Sequence, residues 1–193
     1  MPKITPWQIK FPEEARLVGA LLSGYGELEF ELNMCVGAGM GDQTVAFRAL
    51  FRMRNEGQRL DLAEALIDPA IKHYKLEGEF AHAIGAIRHC KAIRNNFAHC
   101  HWHHTDDPPA LRYCNMEDAA KSRGNETILN FRPADIELLT EQVSFFGYCS
   151  DWFAYLNHEL EVRAGKLESH DWPKPKARPL PRIHSQDKKS RRR

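Results

Sequence analysis

This sequence lacks any run of apolar residues approaching the roughly 20 that a membrane-spanning helix requires. Its opening stretch, MPKITPWQIKFPEEARLVGALLSGYG, holds no apolar run long enough for a secretory signal. A chain without either feature is expected to be soluble, to stay in the cytoplasm and to have no membrane partner. Cysteine is scarce: the five residues Cys35, Cys90, Cys100, Cys114 and Cys149 are odd in number and lack the short paired spacings of a disulfide framework or a zinc ribbon. They read as reduced, mostly buried, small apolar residues. No internal repeat is visible, which sets aside solenoids and propellers.

An overall excess of one charge is also missing, because the formal net charge is +1. That near-neutrality hides an asymmetry. Residues 174–193 carry nine Lys/Arg and one Asp, a net +8, so residues 1–173 carry −7. An acidic body argues against a broad basic nucleic-acid face on the fold. The basic end could hold RNA, DNA or an acidic partner by salt-dependent attraction, or serve only as a solubilising tail.

What is present is helical periodicity, and 193 residues at 42 % apolar content suffice for one domain with a core. Pro12, Glu13 and Glu14 suit a helix start, and Leu17, Leu21, Leu28, Leu32 and Cys35 recur at helical spacing behind them. The spacing predicts that this helix stops within Gly37-Ala38-Gly39-Met40-Gly41 and that Asp42 caps the next. The second runs through Val45, Phe47, Leu50, Phe51 and Met53 to Asn55-Glu56-Gly57. A third continues from Leu60 toward Tyr74, with Pro69 able to kink or divide it. EFAHAIGAIRHCKAIRNNFAHC, from Glu79, forms another. Pro133 and Asp135 open a last long helix to about Lys166, with Leu139, Val143, Phe146, Trp152, Phe153, Leu156 and Leu160 as its buried stripe. Between these two helices, residues 111–116 and 127–131 alternate like two short strands joined across Arg123-Gly124-Asn125, and Pro108-Pro109 ends whatever precedes them. The expected fold is mainly all-α: a four- to five-helix bundle with a small β-hairpin insertion. An N-terminal arm covers residues 1–11, the helical domain 12–170, and a basic, proline-rich tail without fixed structure 171–193. Within that tail, Arg178-Pro179-Leu180-Pro181-Arg182 has the composition of a polyproline II segment.

The chemistry-bearing candidates cluster near the end of the fourth helical stretch. On a wheel of about 100° per residue, Arg94 falls among Ile87, Cys90 and Phe97, where a guanidinium needs an acid, backbone carbonyls or a solvated cleft. Arg88, Asn95 and His99 share the polar flank, so the Asn95 amide can orient His99 or share a ligand with it. Arginine beside histidine suits phosphoryl chemistry, since a guanidinium holds phosphate oxygens and an imidazole moves protons near neutral pH. On RNA the substrate's own 2′-hydroxyl could attack, with no metal and no cofactor. From spacing alone, a salt-bridged core arginine beside a surface histidine explains the pair better.

Arg48 and Arg52, at i,i+4 spacing, with Arg54 nearby and Arg88 on the motif helix, are candidates for RNA contacts or an ordinary solvated face. His101, His103 and His104, following His99 and Cys100, admit a rival metal-binding reading, although their spacing matches no established structural site. The aromatics Phe145, Phe146, Trp152, Phe153 and Tyr155 could stack bases, but at helical spacing they suit a core or a dimer interface.

The segment IRNNFAH resembles the R-polar-x3-H motif of the HEPN superfamily, with Arg94, polar Asn95, apolar Phe97, small Ala98 and His99 in the motif's order. The succession of helices over about residues 12–166 is similar to that of HEPN domains. The resemblance implies a helical bundle that dimerises so that two motifs face one cleft. In active members it implies metal-independent RNA cleavage leaving a cyclic phosphate, with Arg94, Asn95 and His99 as the catalytic set. Such proteins often act as toxins or in phage defence, so RNA, a second copy of the chain and an antitoxin or other protein partner are the expected associates. The superfamily also includes non-cleaving members similar to the mannitol repressor, which leaves a regulatory or interaction module as the alternative.

Overall fold

In the computed structural model, which describes residues 6–121 and 129–184, the chain is mainly α-helical with one small antiparallel sheet. The elements are α1 (Pro6–Lys10), α2 (Pro12–Met40), α3 (Gln43–Arg52), α4 (Glu56–Tyr74), α5 (Glu77–Ala98), β1 (Cys100–Asp106), β2 (Pro109–Asn115), α6 (Met116–Ala120), β3 (Arg132–Pro133) and α7 (Ile136–Arg163). The five long helices are those the periodicity predicts. α1 and α6, at five residues each, are too short to show a period.

Local chemistry sets the boundaries. Pro12 is the first residue of α2, with Glu13 and Glu14 in its first turn. The Asp42 side chain accepts from the Val45 N–H at 2.9 Å and caps α3. Asn55 caps α4 in the same way through the Gln58 N–H at 3.1 Å. Pro69 lies inside α4 without dividing it. Nor do the first two glycines of Gly37-Ala38-Gly39-Met40-Gly41 stop α2; the helix runs to Met40, and Gly41, with φ +74°, ends it. Gly37 and Gly39 serve close packing instead. A Cβ on Gly39 would lie 2.7 Å from Ile67 Cγ1, and one on Gly37 would lie 2.9 Å from the backbone Cα of Gln43.

The chain forms two compact units. One comprises Gly24–Cys90 and Phe146–Leu180. Its core includes Leu32, Leu50, Ile67, Ile84 and Phe153, and Trp152 and Tyr155 are buried too, as core aromatics should be. Arg59 and Glu29 form a half-buried ion pair there. α3 is unusual in being apolar outward as well as inward: Phe47 and Phe51 are 47 % and 39 % exposed with ring centroids 4.8 Å apart, while Ala46 and Leu50 are buried.

The other unit contains the remaining described residues, including the end of α5, the sheet, α6 and the start of α7. Its sheet has the order β1-β2-β3, and β1 pairs with β2 from Cys100↔Asn115 to Asp106↔Pro109. This corrects the expected strand pairing. Strand 111–116 corresponds to β2, but its partner is 100–106, which precedes it, and Pro108-Pro109 sits at the hairpin's tip instead of ending a segment. Pro109 at a strand's first position costs the ladder no donor. β3 is confined to Arg132–Pro133, pairing with Tyr113 and Arg112. The expected turn at Arg123-Gly124-Asn125 lies outside the described residues, as does Thr127. In α7, Val143 is only half-buried, and its neighbour Gln142 is buried in its place.

The tail also departs from expectation as far as His184. Residues 171–182 adopt no helix or strand, yet they are held. Trp172 stacks on His158 at 5.5 Å, Lys174 Nζ meets Glu79 Oε1 at 2.6 Å, and the Arg178 guanidinium lies over the Tyr148 ring. In the unit that holds the sheet, Pro181 is buried, and Gln142 Nε2 donates to the carbonyls of Arg182 (2.7 Å) and Ile183 (3.1 Å). Directional bonds to a buried amide supply what the tail's composition lacks in apolar surface. Residues 185–193 lie outside the described residues.

Candidate functional site at the end of α5

The motif occupies a helix end that is folded onto a strand. Ala98 is the last residue of α5, His99 makes the turn, and Cys100 opens β1. His99 therefore does not continue the polar flank of the wheel. Its side chain is 60 % exposed, with Nε2 3.6 Å from Glu117 Oε1, and its carbonyl accepts from the Met116 N–H at 3.0 Å. Arg94 is half-buried. Its Nη1 donates to Asn95 Oδ1 at 2.7 Å, so the residue expected to act with the imidazole instead orients the guanidinium.

The buried polar residue of this turn is Asn96, 4 % exposed. Its Nδ2 donates to Tyr113 Oη at 2.9 Å and lies 3.5 Å from the Ile183 carbonyl, while its Oδ1 has no partner. Asn115, at the end of β2, ties the arrangement together. Its Nδ2 reaches the carbonyls of Asn95 and Asn96 at 3.1 and 3.2 Å, and its Oδ1 accepts from the Glu117 and Asp118 N–H groups. One side chain thus satisfies carbonyls at the end of α5 and donors at the start of α6. Asn115 and Glu117 have no spacing signature that links them to His99; only the hairpin brings them there.

Next to this junction lies a cleft of about 390 Å³ lined by Cys114, Asn115, Asp118, Ala119, Lys121, Asn130 and Arg132. Burial pushes the Cys100 thiol up to about 12, with Cys114 and Asp118 adding to the effect, so it stays protonated. Burial also raises Tyr113, against the bond from Asn96.

The alternative metal site is not assembled. The two-residue period of β1 turns His101 and His103 toward Phe131, at ring distances of 6.1 and 5.6 Å, and His104 toward Phe11 and Asp106. Among the described residues, no three His, Cys, Asp or Glu side chains gather to hold a metal. Of the candidates for RNA contact, Arg88 is engaged by Glu64 and Asp61 on α4, at 2.7 and 3.0 Å. Arg48 and Arg52 are exposed on α3. No helix is long and apolar enough to cross a membrane among the described residues. Comparisons with family models, with curated proteins and with solved structures find no match to the chain.

Proposed function

We propose that the end of α5 is a phosphodiester-cleaving site of the HEPN type, acting on RNA without a metal and completed by a second copy of the chain. The observation that supports this reading is the state of the two reactive side chains. Arg94 is oriented by Asn95, and one turn later His99 is exposed with a carboxylate 3.6 Å from its Nε2. A guanidinium oriented by a side-chain amide can grip phosphate oxygens as a planar fork, and an exposed imidazole is open to a substrate.

In this mechanism the RNA 2′-hydroxyl attacks the adjacent phosphorus as one His99 imidazole takes its proton. Arg94 binds the non-bridging oxygens, whose charge grows in the transition state. The bond from phosphorus to O5′ breaks, and the protonated His99 of the second copy supplies the proton to O5′. The products are a 2′,3′-cyclic phosphate and a 5′-hydroxyl. A nuclease of this kind, as a toxin or a phage-defence component, would need restraint by an antitoxin or other protein partner.

Incubating the purified chain with total RNA tests the reading. Cleavage is expected to persist in EDTA, to leave cyclic phosphate ends and to disappear in His99→Ala. Cleavage that survives His99→Ala overturns the assignment. No cleavage by any form favours the regulatory or interaction module.

A further inference from the structure

A second site stands out in the unit that lacks the motif's end. The first turn and outer face of α3 and the facing part of α2 enclose an open cleft of about 350 Å³, lined by Phe30, Asn33, Met34, Gln43, Thr44, Phe47 and Arg48. Asn33 is only 1 % exposed, and neither its Nδ2 nor its Oδ1 has a partner. Gln43 donates to the Asn33 backbone carbonyl at 3.2 Å, which leaves the side-chain amide free. A buried carboxamide missing both donor and acceptor partners is costly, of the order of 1–3 kcal/mol per group, and its partners are to be sought in what enters the cleft.

The chemistry of the lining narrows the occupant. A carboxamide pairs best with a group that offers an acceptor and a donor side by side, as the ring nitrogen and exocyclic amino group of adenine do. Phe30 and Phe47, 48 % and 47 % exposed, present ring surface on which a flat base can stack. Arg48 is exposed at the same cleft, with Arg52 one turn further along α3, and neither forms an ion pair among the described residues. Exposed cations beside an aromatic cleft call for an anion on the ligand. The unbranched side chains of Met34 and Gln43 can shift to admit a ring without moving backbone.

We infer that this cleft binds an adenine nucleotide, with the base edge on Asn33, the ring against Phe47 and the phosphate on Arg48. The inference is independent of the RNA-cleaving reading, because it concerns different residues and a ligand with no scissile phosphodiester.

Titration calorimetry of the full chain with AMP tests it. Saturable binding of one AMP per chain is expected. Purine riboside 5′-monophosphate, which lacks the amino group, should bind about ten-fold more weakly, and adenosine should also be weaker for want of the phosphate. Asn33→Leu should bind AMP at least about ten-fold more weakly while melting no lower than the wild type, since it replaces an unpaired amide by an apolar group of similar shape. Phe47→Ser should lose affinity through a surface position that leaves the core intact. Absence of AMP binding at millimolar concentration overturns the inference, as does equal affinity in wild type and Asn33→Leu. Binding lost in Arg94→Ala but kept in Asn33→Leu also overturns it, by assigning the nucleotide to the end of α5.

Discussion

Asn115 Nδ2 donates to the Asn95 carbonyl at 3.1 Å, so a residue at the end of a strand holds the last turn of the helix that carries the candidate site. The same side chain caps α6 through its oxygen. Asn115→Ala should cost about 1 kcal/mol for the lost cap and a further 1 kcal/mol or so for the carbonyls left bare. Asn115→Asp keeps the acceptor but not the donor, and should fall between wild type and alanine. Urea unfolding of the three proteins measures the order; an alanine variant as stable as wild type would mean that neither junction depends on this residue.

The tail offers a second test. Deleting residues 171–193 removes both carbonyls that Gln142 Nε2 reaches and the Ile183 carbonyl beside Asn96. It also frees Glu79 and uncovers Tyr148. Leaving a buried amide unpaired costs about 1–3 kcal/mol, so the truncated chain should melt several degrees lower. An unchanged melting temperature would show that residues 171–184 contribute nothing to the fold.

The helical class was legible because Leu17, Leu21, Leu28, Leu32 and Cys35 keep the helix period over many turns, and because Pro12, Asp42 and Asn55 act through rules local to one turn. The first strand of the hairpin was not legible because 100–106 alternates only weakly and its histidines have the density of a metal cluster. At the site, the wheel places Arg94 among Ile87, Cys90 and Phe97, yet the buried polar residue is Asn96, which lies beyond Ile93 on the wheel and is buried by its contacts with Tyr113 and the tail. Asn115, Glu117 and the tail carbonyls reach the motif from distant parts of the sequence, and no pattern within one helix could announce them.

His184 makes a pH-dependent contribution. Burial lowers its pKa below the ordinary 6.5, with Arg132 adding to this and Asp118 opposing it. The folded state thus binds this proton less readily than the unfolded one. Its share of stability is intact above pH 6.5 and is lost as the pH falls through that value toward the folded pKa. Glu31, raised mainly by its own burial, acts with the opposite sign at lower pH. The melting temperature of the wild type should therefore drop between about pH 7 and 5.5 more than that of His184→Gln. Parallel curves for the two proteins would remove His184 from the account.

Glycines in α2 should respond in opposite ways. At Gly39 an added methyl would meet Ile67 at 2.7 Å, so Gly39→Ala should destabilise the chain by about 1–3 kcal/mol through overpacking. At Gly19 nothing lies within 4 Å of the added carbon, so Gly19→Ala should stabilise it by about 0.5–1 kcal/mol through backbone entropy. Denaturant midpoints of the two variants check both signs, and a stabilised Gly39→Ala would contradict the close approach of α2 to α4.

Substitutions at Arg94 and Asn95 separate the charge of the guanidinium from its orientation. Its guanidinium is half-buried and bonded to Asn95 Oδ1 at 2.7 Å. Arg94→Lys keeps a cation but loses the planar fork that grips two phosphate oxygens at once. Loss of one preorganised donor to a developing oxyanion typically costs about 100- to 1,000-fold in rate, so Arg94→Lys should cut RNA cleavage by that order with little change in stability. Asn95→Ala leaves the guanidinium intact but removes its bond to the amide, and should cost less, about ten-fold. In Asn95→Asp the acceptor remains but carries a charge that neutralises Arg94. It should therefore cleave more slowly than Asn95→Ala, because it sets a counter-charge beside the guanidinium that binds the phosphate. Cleavage by Arg94→Lys at the wild-type rate would mean that Arg94 does not contact the phosphate, and the proposed mechanism would then lose the group that stabilises its transition state.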